Sequence, residues 1–284
     1  MLKKIFFAAA LLLASLLSAK PVVIASIAPV EYLAKAVGGD KIEVQSLAKG
    51  DVHSYEPKPN DMKAVAKARI FIAAGLEFEE AWIPRFKASA KNLVVVKSDA
   101  KIAKLKEERG EQAEHDEKHE AHADPHVWLN PMLAITMARN ISDALIDMDK
   151  ANKDFYLENF QKLMNDLLAF DESAKESLAG LKNRKFVVYH PAWGYFAAHY
   201  DLEQISIERS GKEPKIDEMA STLKMIKDEN IKVIFADPNR SQKSAQILAS
   251  QTGAKVELLD PLGYNLLENL KIAVGAIKDA NSPK

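Results

Sequence analysis

The apolar stretch Ile70-Phe71-Ile72-Ala73-Ala74 indicates the fold class of this 284-residue chain. An unbroken apolar run of this length is typical of a strand that is buried on both faces. Similar short strand-like runs occur at residues 22–26, 42–47 and 93–97, and helical patterns lie between them. Strands that alternate with helices predict an α/β fold in which helices cover both faces of a parallel sheet.

The second half of the chain repeats this organisation. Strand-like runs recur at residues 186–190, 204–207, 232–236 and 255–259. Glu56-Pro57-Lys58 has a counterpart in Glu213-Pro214-Lys215, and Ala73 has one in Ala236. The repetition predicts two similar lobes, each with a four-stranded parallel sheet.

A long helical pattern lies between the two lobes. It covers residues 150–179, after a shorter helix at 132–148, and its apolar residues recur at steps of three and four. They are Tyr156, Phe160, Leu163, Leu167 and Phe170, with Leu157, Met164 and Leu168 widening the stripe. We expect a rigid connector that packs on both lobes. The predicted units are an N-terminal lobe at 20–149, the connecting helix at 150–181 and a C-terminal lobe at 182–284.

Residues 1–19 have the pattern of a cleavable secretory signal peptide. Lys3 and Lys4 precede an apolar block, and Ala19 lies at the expected cleavage site. The sequence contains no cysteine, so we expect an exported monomer with neither a disulfide nor a lipid anchor. Its 39 basic and 40 acidic residues nearly balance, which argues against a nucleic-acid or anionic-membrane partner.

Lys, Glu, Asp, Gln and His dominate residues 100–123. This composition has too little apolar surface to offset the entropy cost of ordering, and it predicts a mobile surface loop. His115, His119 and His122 lie in the loop, at spacings that would align them on a helix face. They suit weak auxiliary metal capture, and a simple solvated acidic loop is the alternative.

Four potential metal ligands follow strands of the predicted sheets. His53 lies in the turn after the second strand, His126 in Asp124-Pro-His-Val-Trp-Leu-Asn-Pro131, His190 at the end of the fifth strand and Asp260 at the end of the eighth. Ligands of open parallel sheets bind beyond the carboxyl ends of the strands, where these residues converge. Three imidazoles and one carboxylate suit Zn²⁺, whereas Mn²⁺ prefers more oxygen ligands. Water in place of Asp260 is also compatible with the pattern.

Other polar residues at the same edge leave two interpretations open. Glu208 and Asp237 suit hydrogen bonds to the metal-binding imidazoles, because such imidazoles usually donate their second N–H to an oxygen. Helix capping and turn formation are the roles that we expect for both residues, with the hydrogen bonds to imidazoles as the alternative. We expect His199 to pack or to face solvent.

These motifs resemble the metal-specific solute-binding proteins of ABC importers, and among them the periplasmic zinc-binding component of high-affinity zinc uptake. The resemblance covers essentially the whole chain after residue 19. It depends on residues 50–57, the charged loop, and residues 124–131, 190–196 and 259–263. It implies two α/β lobes, a rigid connecting helix, and one metal held in the cleft by His53, His126 and His190.

The resemblance also bears on the identity of the metal. Manganese and iron relatives have a carboxylate in the place of His190, so His190 favours zinc. Asp260 matches an aspartate that manganese relatives use, which makes it the leading candidate for a fourth ligand. Some zinc members have Glu immediately before the first His, whereas this chain has Val52.

We therefore expect a periplasmic receptor that is not an enzyme. It would capture Zn²⁺ as cargo, rather than as a cofactor, and deliver it to an inner-membrane ABC permease. The alternatives are the same receptor for Mn²⁺ or Fe²⁺, a zinc-dependent hydrolase, and a surface protein with a structural metal. The chain lacks the His-Glu-x-x-His helix of many zinc hydrolases.

Overall fold

The computed structural model describes residues 20–106, 123–208 and 216–281. The first half contains β1 (Val22–Ala25), α1 (Ala28–Gly38), β2 (Glu43–Ser46), α2 (Pro59–Val65), β3 (Ile70–Ala73), α3 (Glu77–Ser89), β4 (Val94–Lys97) and α4 (Pro131–Met148). After α5 (Lys153–Ala179), the second half contains β5 (Lys185–Val188), α6 (Gly194–His199), β6 (Glu203–Ser206), α7 (Ile216–Asp228), β7 (Val233–Ala236), α8 (Lys243–Thr252), β8 (Lys255–Leu258) and α9 (Leu266–Asn281). The predicted signal peptide and His115, His119 and His122 lie outside the described residues.

Each half contains one four-stranded parallel sheet, as the strand patterns predict. The strand orders are β2-β1-β3-β4 and β6-β5-β7-β8, so both halves have the same topology. In the first sheet, Val23 of β1 lies between Val44 of β2 and Ile70 of β3. The central strands β3 and β7 are buried throughout, because helices cover both faces.

Helix α5 connects the halves, and its apolar stripe accounts for its position. Five residues of the stripe are buried, namely Tyr156, Phe160, Leu163, Leu167 and Phe170. Leu168 is 40% exposed, so the stripe is narrower than the sequence suggests. The helix packs against α1 and α4 of the first half and α9 of the second.

Polar contacts fix α5 to both halves. Asn159 Nδ2 donates to the carbonyl of Val37 in α1 at 3.0 Å. In the second half, His199 Nε2 lies 2.6 Å from Oδ1 of Asp171 on α5, whose Oδ2 accepts from Lys175 of the same helix at 2.7 Å. His199 thus joins α6 to the connecting helix through a hydrogen bond.

One apolar core extends through both halves. It includes Trp128 of the first half and Trp193 of the second, and both side chains are fully buried. The two halves therefore pack as neighbours and do not depend on α5 alone for their arrangement. Within the described residues, none of the helices combines the length and hydropathy required to cross a bilayer.

Candidate metal centre

His126 is held in place by the residues on either side of it. Asp124 Oδ1 accepts the His126 backbone N–H at 2.9 Å, and Pro125 restricts the intervening backbone. A short 3₁₀ turn, Val127–Leu129, follows, and Asn130 then caps α4 by accepting from Met132 N and Leu133 N. Prolines and caps thus position the imidazole through short-range contacts.

His53 and His190 approach His126 from loops at the carboxyl ends of other strands. His190 follows β5 and is 6% exposed, comparable to the 4% of His126. His53 follows β2 in a turn where Asp51 Oδ1 accepts its backbone N–H at 3.2 Å. An aspartate two residues before the histidine thus bonds the histidine backbone in both the His53 and the His126 segments.

The three imidazoles converge through their Nε2 atoms. Nε2 of His190 lies 3.2 Å from Nε2 of His53 and 3.4 Å from Nε2 of His126. All three ligand atoms lie within 4.8 Å of one another. Zn–N bonds of about 2.0–2.1 Å at tetrahedral angles place two ligand nitrogens about 3.3–3.4 Å apart. The spacing therefore suits a small four-coordinate cation.

Two buried carboxylates determine which nitrogen of each ring is free to bind a cation. His126 Nδ1 lies 2.7 Å from Asp124 Oδ1, and His190 Nδ1 lies 3.0 Å from Glu208 Oε2. An ionised carboxylate can only accept, so in a neutral ring it holds the proton on Nδ1 and leaves the lone pair on Nε2. At His190 the Arg240 guanidinium, which can only donate, also lies 3.0 Å from Nδ1, and the Glu208 carboxylate between them accepts from both. Two lone pairs that face each other at 3.4 Å repel unless a cation lies between them. This is the carboxylate–histidine arrangement that orients metal ligands.

The surroundings keep His53 and His190 neutral. Burial, reinforced by the positive charge that His126, His190 and Arg240 would carry, lowers the pKa of His53 from 6.5 to about 3. Burial also lowers the pKa of His190, against the opposing effect of its hydrogen bond to Glu208. Neutral imidazole is the form that binds metal, so no proton has to leave His53 or His190 at neutral pH.

Asp260 lies within the described part of the chain, but it is not in the group of potential ligands formed by His53, His126 and His190. Its Oδ1 atom accepts from Asn239 Nδ2 at 2.9 Å and from Leu262 N at 2.8 Å. Asp237 stabilises its own turn, because its Oδ1 accepts from the Asn239 backbone at 2.7 Å.

Beside His126 and His190 lies a cavity of about 170 Å³, bordered also by Lys106, Asp124 and Gln204.

Two residues next to the imidazoles are not among the candidates predicted from the sequence. Asp124 is one of them, although an aspartate two positions before a histidine is a local signal for its contact with His126. Arg240, whose guanidinium donates to Glu208 Oε2, has no such signal. Glu208 was considered as a partner of an imidazole, and the structure places it against His190.

Comparison with known proteins is consistent with this geometry. The chain is 30% identical over 279 residues to the high-affinity zinc uptake system protein ZnuA of Bacillus subtilis strain 168, covering 91% of this chain and 86% of that protein. It is also 30% identical over 243 residues to the zinc-binding lipoprotein AdcA of Streptococcus pneumoniae serotype 4, covering 82% of this chain and 48% of AdcA.

A crystal structure of ZnuA superimposes with a TM-score of 0.87 at 36% sequence identity, covering 93% of this chain and 100% of that one. The shared architecture confirms the predicted pair of α/β lobes. Residues 23–280 match the family described as the periplasmic component A of the zinc-uptake complex, and this chain therefore belongs to that family.

Proposed function

We propose that this protein is an extracytoplasmic receptor that binds Zn²⁺ through His53, His126 and His190 and delivers it to a membrane ABC permease. The observation that carries the proposal is the convergence of three imidazoles, with Nε2 of His190 at tetrahedral spacing from Nε2 of both His53 and His126, and with His126 and His190 each bonded through Nδ1 to a buried carboxylate. Zinc is the cargo in this scheme. The family supplies a receptor component of zinc uptake and not an enzyme, in agreement with the sequence.

For the fourth coordination position we propose a water molecule. Oδ1 of Asp260, the residue that the sequence predicts as a ligand, accepts hydrogen bonds from Asn239 and Leu262, and Asp260 is not part of the group of ligand atoms formed by the three histidines. Zinc sites with three protein ligands commonly complete their coordination with water.

Competitive titration of Zn²⁺ against a chromophoric chelator tests the ligand set. We expect a dominant 1:1 site, with His53→Ala, His126→Ala and His190→Ala each weakening binding about 100-fold or more. This magnitude follows because about 10–16 kcal/mol for a four-ligand zinc site is about 3 kcal/mol per ligand. His199→Ala is the matched control, since His199 pairs with Asp171. Undiminished zinc affinity in any of the three ligand variants would refute the proposed set.

Two further arms of the titration address the open alternatives. Asp260→Ala should keep most of the zinc affinity if water is the fourth ligand, and should lose it as a histidine variant does if Asp260 binds the metal. Mn²⁺ and Fe²⁺ should compete weakly, because three nitrogen ligands favour zinc over ions that prefer oxygen. Zinc beyond one equivalent would point to His115, His119 and His122 as an auxiliary site.

We propose that the protein works as an unanchored monomer in the periplasm. The support is the signal-peptide pattern of residues 1–19 and a sequence without cysteine, whose thiol would be the attachment point of a lipid. The S. pneumoniae relative is named a lipoprotein, so this point distinguishes the two proteins. Cell fractionation and sedimentation velocity test it, and recovery in the membrane fraction would refute it.

The connecting helix leads us to propose small movements of the lobes on zinc release. Helix α5 is bonded to both halves, and one core extends through them. The radius of gyration from X-ray scattering should be nearly unchanged between zinc-free and zinc-loaded protein. A large difference would contradict the rigid connection.

A further inference from the structure

Arg240 connects the two halves of the metal centre. One arm of its guanidinium, Nη1, donates to Glu208 Oε2, the oxygen that also bonds His190 Nδ1. The other arm, Nη2, donates to Asp51 Oδ1 at 3.2 Å. Asp51 lies in the first half and bonds the backbone of His53. Arg240 thus bonds both Glu208, which holds the His190 ring, and Asp51, which holds the His53 backbone.

The loop after β7 fixes Arg240 in this position. Arg240 N donates to the Asp237 carbonyl at 3.2 Å, and the Asp237 carboxylate accepts from Asn239 N at 2.7 Å. Asn239 Nδ2 in turn donates to Asp260 Oδ1 at 2.9 Å. The Arg240 side chain is only 12% exposed. Its planar fork has the shape needed to bind two carboxylates at once.

Among the described residues, the other hydrogen bonds across the site hold the His126 segment rather than the His53 turn. Trp128 Nε1 donates to the Pro261 carbonyl at 2.7 Å, and Tyr195 OH donates to the Asp124 carbonyl at 2.8 Å. Both bonds join the His126 segment to the second half, and both are buried. By contrast, the Asp51 side chain that meets Arg240 is 34% exposed. The His53 turn is therefore the part of the site that can separate at least cost.

We propose that Arg240 is a positioning residue that latches the His53 turn to the second half and thereby slows the release of zinc. The inference rests on the proposed zinc-binding function. Zinc held by His126 and His190 alone would exchange faster, so the time that the His53 turn spends docked governs dissociation. Effects of interface contacts appear mainly in the dissociation rate rather than the association rate.

Stopped-flow transfer of zinc to an excess of chelator measures this rate directly. We expect Arg240→Gln and Asp51→Asn each to raise the zinc dissociation rate about three- to tenfold, the range for a partly exposed ion pair across an interface, with an unchanged association rate. Because both changes break the same contact, the double variant should be no faster than the faster single variant by more than about twofold.

Two further variants separate position from charge. Arg240→Lys keeps the positive charge but cannot bridge Glu208 and Asp51, so it should also release zinc faster. Lys185→Gln breaks an ion pair with Glu229 at the opposite end of β5, 2.8 Å in length, and should leave the rate unchanged. Circular dichroism tests whether each variant is folded. If Arg240→Gln does not fold, Arg240→Lys takes its place in the rate measurements.

The outcomes are separable. Wild-type rates in Arg240→Lys and Asp51→Asn, or a double variant in which the two effects multiply, would overturn the latch while leaving zinc binding intact. Failure of the wild-type protein to bind zinc would overturn the proposed function and the latch together. Faster release in all three single variants, without additivity in the double variant, supports the latch.

Discussion

Replacing Asp124 by Asn tests whether the carboxylate–histidine pair tunes the metal centre. Asp124 Oδ1 lies 2.7 Å from His126 Nδ1, and the residue is only 6% exposed. Asn has nearly the same shape but no charge. Its amide can also rotate to donate to Nδ1, which would place the His126 proton on Nε2 and abolish the metal-binding lone pair.

The expected loss of zinc affinity is about 10- to 100-fold, the usual effect of removing such a partner from a metal-binding histidine. This corresponds to about 1.4–2.7 kcal/mol. Zinc stabilises the folded state in proportion to the logarithm of its affinity, so saturating zinc should stabilise Asp124→Asn by that much less. For a chain of this size, the zinc-induced rise in Tm should be smaller by about 3–10 °C.

Chelator competition at pH 7 and thermal unfolding with and without zinc measure both quantities. Asp143→Asn is the matched control, because Asp143 is an exposed partner of Arg139 on helix α4. The zinc-free Asp124→Asn protein should unfold at or above the wild-type temperature, since it no longer buries a charge. If Asp124→Asn bound zinc as tightly as Asp143→Asn, the carboxylate would have no part in metal binding.

Three further results are expected. Protons should compete with zinc for His53 and His190 only well below pH 6.5, because the pKa values of both lie below that of an ordinary histidine; a zinc affinity that falls by about 100-fold or more per pH unit just below pH 6.5 in the competition assay, as protonation of two ordinary imidazoles requires, would contradict this. Zinc-free protein should lose up to about 1.4 kcal/mol of stability per pH unit and per such histidine below pH 6.5, where the unfolded chain takes up protons that the folded chain excludes, and urea unfolding at pH 7 and 5.5 measures it. Trp128→Phe should cost about 1–3 kcal/mol in urea unfolding by leaving the Pro261 carbonyl without its donor, whereas Trp82→Phe at a half-buried position should cost less.

The strand and helix patterns were sufficient to predict the fold. Unbroken apolar runs such as 70–74 identify strands covered on both faces, and the repetition of the pattern gives two sheets of the same topology. The spacing of apolar residues predicts less well which residues at the margin of the apolar stripe of α5 are buried. Leu168 has the spacing of a buried residue but is 40% exposed.

The three histidines could be found because each follows a strand at the same edge of a parallel sheet. Their partners could be found only in part. Glu208 lies at the same edge and is a sequence-based candidate, but its pairing with His190 is seen only in the structure. The contact of Arg240 with both Glu208 and Asp51 depends on how the halves pack, which short-range patterns do not contain. The expected role of Asp260 as a ligand remains a prediction, for which the Asp260→Ala titration is the test.

The charges around the imidazoles explain why a divalent cation suits this centre. Glu208 and Asp51 lie against Arg240, and hydrogen bonds and the charge of Arg240 outweigh the effect of burial, so that the pKa of each of the two carboxyls is below its usual range. Asp124, bonded to His126, adds a third carboxylate. Three carboxylates and one guanidinium bonded to the imidazole segments give a net charge of −2, and Lys106, which borders the same cavity, reduces it to −1. This negative charge outside the coordination shell favours a cation, while the three nitrogen ligands favour zinc among the divalent ions.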